Sequence, residues 1–110
     1  MIIYKKYKKR EFVANKQTKI KLKDVGKVVL KKKEHLTIEV NRKKNEVCAL
    51  DWGMYATSSI NNRLKKQGLK TFIVKNISKK IFVMLVDNKK IKNFKSYIKK
   101  EKLNIIKELK

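Results

Sequence analysis

Residues 57–86 read TSSINNRLKKQGLKTFIVKNISKKIFVMLV, and the fold turns on how this stretch is divided. Thr57 or Ser58 offers the side-chain oxygen that caps a helix, and Ile60 and Leu64 recur at helical spacing. Gly68 stands where a left-handed residue ends a helix at least cost. The spacing therefore predicts a helix over 57–67. Beyond the glycine, LKTFIV and IFVMLV are β-branched and aromatic runs joined by the polar loop KNISKK, which predicts a hairpin over 69–86, central to its sheet.

Working outward, HLTIEV alternates Leu36, Ile38 and Val40 with Thr37 and Glu39, the period of a half-buried strand. With NRKKN and the returning EVCAL it predicts a hairpin over 35–50 whose tip is a basic five-residue loop, 41–45. DWGMYA reads as a loop, and TKIKLKDVGKVVL as a strand, a turn at 24–26 and a strand. Downstream, Ile91, Phe94, Ile98, Ile105 and Leu109 recur near helical spacing, so an amphipathic C-terminal helix is expected, with a possible break near Lys102. Residues 1–15 are expected to form a basic arm that orders on binding. Residues 16–110 then make a single α+β domain, a small antiparallel sheet of β-hairpins with two helices packed on one face, in the order β-β-β-β-α-β-β-α.

The 110 residues suffice for one modest core, and 42% of them are apolar. Charge is the strongest signal: 32 Lys and Arg stand against 9 Asp and Glu, a net +23. An AT-rich coding sequence enriches lysine, but it enriches acids too, so the imbalance needs another cause. Such a surplus strains a compact chain by self-repulsion and is matched by a polyanionic partner. Only Arg10, Arg42 and Arg63 are arginines. Lysine suits phosphates as a point charge, whereas forked reading of guanine prefers arginine. Backbone-dominated, salt-sensitive binding is the expectation.

Candidate contacts fall into three groups. On the predicted helix, Ser58, Asn61, Asn62, Arg63, Lys65 and Lys66 lie on or beside the face opposite Ile60 and Leu64, in a section free of acids from Asp51 to Asp87. Hydroxyl, amide and ammonium groups all bond phosphate oxygens, and the helix N-terminus would favour an anion near Ser58 and Ser59. The same serines need no ligand if they simply cap the helix. The hairpin tip contributes Arg42, Lys43 and Lys44, and the arm contributes Lys5, Lys6, Lys8, Lys9 and Arg10. Tyr4 and Tyr7 alternate with those lysines as single-strand stacking requires, although tyrosines also anchor arms to cores. Trp52 is read as a core or staple residue before a stacking platform.

Catalytic chemistry has little to draw on. His35 is the one histidine, and with Glu34 and Arg42 it makes the available acid–base set. Cys48 is the one cysteine and reads as a buried structural thiol, which leaves no internal disulfide or cysteine-based zinc site. No cofactor, metal or membrane is expected, since no apolar run approaches the roughly 18–20 residues of a span. The N-terminus lacks a secretory pattern, and the chain is expected to be cytoplasmic. The reading is a small, non-enzymatic nucleic-acid-binding protein, for RNA or DNA, contacting mainly the phosphate backbone. One alternative is an antagonist from a phage or mobile element, of anti-CRISPR kind, that binds a host nucleoprotein complex. The second is a toxin-type ribonuclease resting on His35.

Overall fold

The computed structural model describes residues 2–4, 10–15 and 20–110, the first two stretches through their backbone pairing. β1 (Ile2–Tyr4) and β2 (Arg10–Asn15) come from the stretch expected as an arm. They pair antiparallel with β4 (Lys27–Val29) and β3 (Ile20–Asp24) respectively. The turn expected at 24–26 separates β3 from β4, and there the Gly26 N–H donates to Asp24 Oδ1 at 3.4 Å.

Next comes a three-stranded meander: β5 (His35–Val40), β6 (Lys43–Leu50) and β7 (Gly53–Ala56). The hairpin expected over 35–50 is present, but its tip is two residues, not five. Asn41 and Arg42 both take positive φ, 50° and 67°, the handedness of a type I′ turn. That turn matches the twist of the flanking strands, so pairing closes at Val40 opposite Lys43 and Glu39 opposite Lys44. Lys43 and Lys44 are therefore strand residues. The expected loop 51–56 also becomes a strand: Asp51 and Trp52 turn the chain, and Met54 and Tyr55 pair with Ala49 and Cys48. Trp52 stacks on Tyr55 with ring centroids 5.8 Å apart and is 68% exposed, so it is neither core nor staple. Cys48 is half-buried.

The expected helix over 57–67 shortens to a wide helical turn, Ile60–Leu64, continued by Lys65 and Lys66. The Ser59 side chain caps it by accepting the Arg63 N–H at 2.9 Å, and the Leu64 N–H reaches the Ser59 carbonyl at 2.9 Å. The cap is thus Ser59, not Thr57 or Ser58. Gly68 ends the turn at φ 80°, as its position predicted.

β8 (Leu69–Lys75) and β9 (Ile81–Asp87) form the hairpin expected over 69–86. Asp87 then accepts the Lys89 N–H at 3.0 Å and leads through a short 3-10 turn into α1 (Ile91–Lys100). The helix stops at Lys102, which takes φ 54°. There the Leu103 N–H returns to the Ile98 carbonyl at 2.9 Å and the Lys102 N–H to that of Lys99 at 3.3 Å, closing the helix end. The remaining residues, expected as helix, are β10 (Asn104–Leu109), paired along the free edge of β8 with a bulge between Ile105 and Lys107. Open backbone groups on β8 and the β-branched pair Ile105 and Ile106 outweigh the helical spacing. The second packed helix is thus a strand, and the chain is a mixed α+β assembly of small antiparallel sheets with one α-helix.

β8 is the centre of the sheet β10-β8-β9. Alternation puts Phe72 and Val74 on the face that α1 covers, where Phe94 stacks on Phe72 at 5.1 Å and Ile91, Ile98 and Leu103 complete the packing. Val74 is fully buried at 0% exposure.

Candidate nucleic-acid interface

Two sections that lie apart in sequence, β6 and the helical turn, are joined by side chains. Gln67 imitates a strand neighbour: its Oε1 accepts the Lys44 N–H at 2.7 Å and its Nε2 donates to the Lys44 carbonyl at 2.8 Å. The Lys43 ammonium donates to the Gln67 carbonyl. One strand position further, Glu46 Oε2 accepts from Arg63 Nη1 at 3.0 Å and lies 2.9 Å from His35 Nε2, while the Glu46 carbonyl accepts the Thr57 N–H at 2.9 Å. His35 Nε2 is also 3.3 Å from Thr57 Oγ1. Ion pairs this exposed are worth about 0–1 kcal/mol each. Their effect is positional: the cations of the hairpin and those of the turn are held in one neighbourhood.

On its other side the turn faces β10, and two open clefts run between them. The larger, about 730 Å³, is lined by Ser59, Ile60 and Asn61 from the turn side and by Lys107 and Lys110 from the strand. The smaller, about 280 Å³, is lined by Lys65, Lys70 and Asn88 and shares Ile60, Glu108, Leu109 and Lys110 with the first. Together they make one groove with four lysines and a single carboxylate, Glu108. Amide and hydroxyl groups of Asn61, Asn88 and Ser59 lie among the ammonium groups, and Ile60 and Leu109 give the groove an apolar floor. Such a lining accepts phosphate oxygens and the flat edges of sugars or bases.

The residues expected from the sequence divide accordingly. Asn61 and Lys65 line the groove, whereas Asn62 and Lys66 are exposed on the same turn outside it. Ser58 is only 5% exposed, so it does not stand on an outward face, and Ser59 Oγ is occupied as the cap. Arg63 is turned to Glu46. Arg42 sits in the hairpin turn, and Lys43 and Lys44 are engaged with Gln67 while Lys44 remains exposed. Arg10 is a strand residue opposite Asp24, and Lys5, Lys6, Lys8 and Lys9 lie outside the described residues.

Lys70, Lys107 and Lys110 were not anticipated. Reading NIIKEL as a strand, on its adjacent β-branched residues, would have placed Lys107 on a sheet edge instead of a helix face. The proposed acid–base set does not assemble. Glu34 accepts the Lys31 N–H at 2.6 Å, and His35 and Arg42 sit at opposite ends of β5, roughly 20 Å apart by strand rise. His35 meets Glu46 instead. Among the described residues no cluster of three or more His, Cys, Asp or Glu is arranged to hold a metal, and no helix is long and apolar enough to cross a membrane. Comparisons with family models, with curated proteins and with solved structures found no match.

Proposed function

We propose that this chain binds nucleic acid through its phosphate backbone, along the groove between the helical turn and β10. The supporting observation is the lining itself: Lys65, Lys70, Lys107 and Lys110 converge on a channel with one carboxylate, in a chain of net +23. Lysine ammonium groups bind phosphates without reading bases, so affinity depends weakly on sequence. The exposed Asn62, Lys66 and Lys44 extend the contact beyond the groove.

The test is a titration of single- and double-stranded oligonucleotides across a range of salt. Log K should fall linearly with log salt, by about 0.7–0.9 per phosphate contact. The double variant K107A/K110A should flatten that slope by up to about two contacts, whereas K31A/K32A, distant in the fold, should leave it nearly unchanged. Equal flattening by both pairs would remove the groove from the proposal, and a flat salt response would remove the function.

One observation favours a second reading, cleavage of RNA. His35, Glu46 and Arg63 bring an imidazole, a carboxylate and a guanidinium within 3.0 Å of one another's partner atoms. These are the groups a general acid–base mechanism on a phosphodiester employs. Degradation of RNA by the native chain, lost in H35A, would establish it. Intact RNA after prolonged incubation would leave the cluster as the fastener between β6 and the turn.

A further inference from the structure

β9 is an edge strand with the sequence of a central one. Among the described residues it pairs with β8 alone. From Ile81 to Val86 it reads IFVMLV, with no charge, proline or glycine, in a chain where 37% of residues are charged. Alternation puts Phe82, Met84 and Val86 toward α1 and Ile81, Val83 and Leu85 on the opposite face. A surface edge normally shows polar residues on its outer face, but here Ile81 is 61% and Val83 64% exposed. The other edges are guarded: β5 carries His35 and Glu39, β10 carries Lys107 and Glu108, and β7 is four residues long and begins with glycine. An unguarded edge with apolar residues on both faces is the surface a further strand would cover.

We infer that the partner is a second copy of this chain, with β9 pairing antiparallel to β9 of that copy about a twofold axis at Met84. The ends of the strand choose this occupant. Asp87 closes β9 and Lys79 and Lys80 precede it. An antiparallel register centred on Met84 sets Ile81 opposite the second copy's Asp87 and so brings each Asp87 beside the other copy's Lys80. The pairing is self-complementary in charge, as an isologous contact must be. It also sets Phe82 opposite Val86 and Val83 opposite Leu85, so apolar residues meet on both faces, and the two three-stranded sheets join into one of six strands.

The net charge of +23 on each copy opposes association. Salt screens that repulsion and leaves the apolar contact intact. Raising salt therefore strengthens the dimer, the reverse of its effect on a polyanion complex, so failure of one reading is visible separately from failure of the other.

The experiment uses the full chain after nuclease treatment, with mass measured by sedimentation equilibrium at several protein and salt concentrations. A dimer whose share rises with both is expected. V83K, at an exposed position, should shift the chain to monomer with its circular dichroism unchanged. Register is tested in a C48S background by single cysteines. M84C faces itself across the axis at a separation a disulfide can bridge, and should form a covalent dimer on mild oxidation many-fold faster than V83C or L85C. D87N, which keeps an acceptor for the Lys89 N–H, should weaken the dimer severalfold, and so should K80E. A monomer at all concentrations overturns the inference. So does a dimer that survives V83K, or equal cross-linking at positions 83, 84 and 85.

Discussion

Two sheets of the same size fare differently in this molecule. In β10-β8-β9, α1 lies over one face, and Phe72, Val74 and Val86 are buried there. In the meander β5-β6-β7, Ile38, Val40, Met54 and Tyr55 stay exposed, and no residue from 20 to 56 is fully buried. Both sheets alternate or cluster apolar residues convincingly. What separates them is the second layer: a strand pattern decides where side chains point, but burial needs something to point at. The helix supplies it for one sheet, and the meander is tied down by polar contacts from Glu46, Lys43 and Lys44 to the helical turn.

The largest expected effect follows from that contrast. Phe72→Ala removes a ring stacked on Phe94 inside the one packed layer and should cost about 3–5 kcal/mol in urea unfolding. Met54→Ala, at a residue 73% exposed, should change stability by no more than about 0.5 kcal/mol. Similar losses from the two would mean that the meander has a buried face after all and would erase the contrast.

The same contrast explains what could be read in advance. The hairpins at 35–50 and 69–86 were legible because period-2 alternation and β-branched runs are local signals, and so was the stop at Gly68. The shortening of the 57–67 helix was not, because Ser58 is drawn into the interior and leaves capping to Ser59, a tertiary effect on a local choice. Nor was β10. Ile98, Ile105 and Leu109 keep helical spacing, and only the vacant edge of β8 and the left-handed Lys102 decide for a strand. The groove inherits that error: its turn side was anticipated in Asn61 and Lys65, while Lys107 and Lys110 were hidden in a supposed helix face.

A medium-sized effect distinguishes one cooperative unit from two. Arg42 at φ 67° and Lys102 at φ 54° are left-handed positions, one in each region, where a side chain costs about 1–2 kcal/mol. Glycine removes that strain and adds about 0.5–1 kcal/mol of chain entropy, so R42G and K102G should each stabilise by about 0.5–1 kcal/mol. Trp52, the single tryptophan, sits between β6 and β7 and reports on the meander, whereas far-ultraviolet circular dichroism also follows α1. The Trp52 transition should come at lower urea than the helical one. R42G should narrow the gap and K102G widen it. Coincident transitions moved equally by both substitutions would make the molecule a single unit.

The smallest effect on stability lies where the regions meet, and its sign on binding is the opposite. Glu46→Gln keeps the shape of the side chain and discards the charge that holds Arg63 Nη1 at 3.0 Å. The pair is largely exposed on the arginine side, so the loss should stay below about 1 kcal/mol. Its structural trace is local: amide exchange at Thr57 and Arg63 should quicken, while exchange in β8 and α1 is unchanged. Removing one acid and releasing one guanidinium beside the groove should also tighten oligonucleotide binding and steepen the salt slope by up to about one contact. If E46Q weakens binding instead, the contribution of Glu46 is to hold the turn in place, and the groove depends on that support more than on net charge.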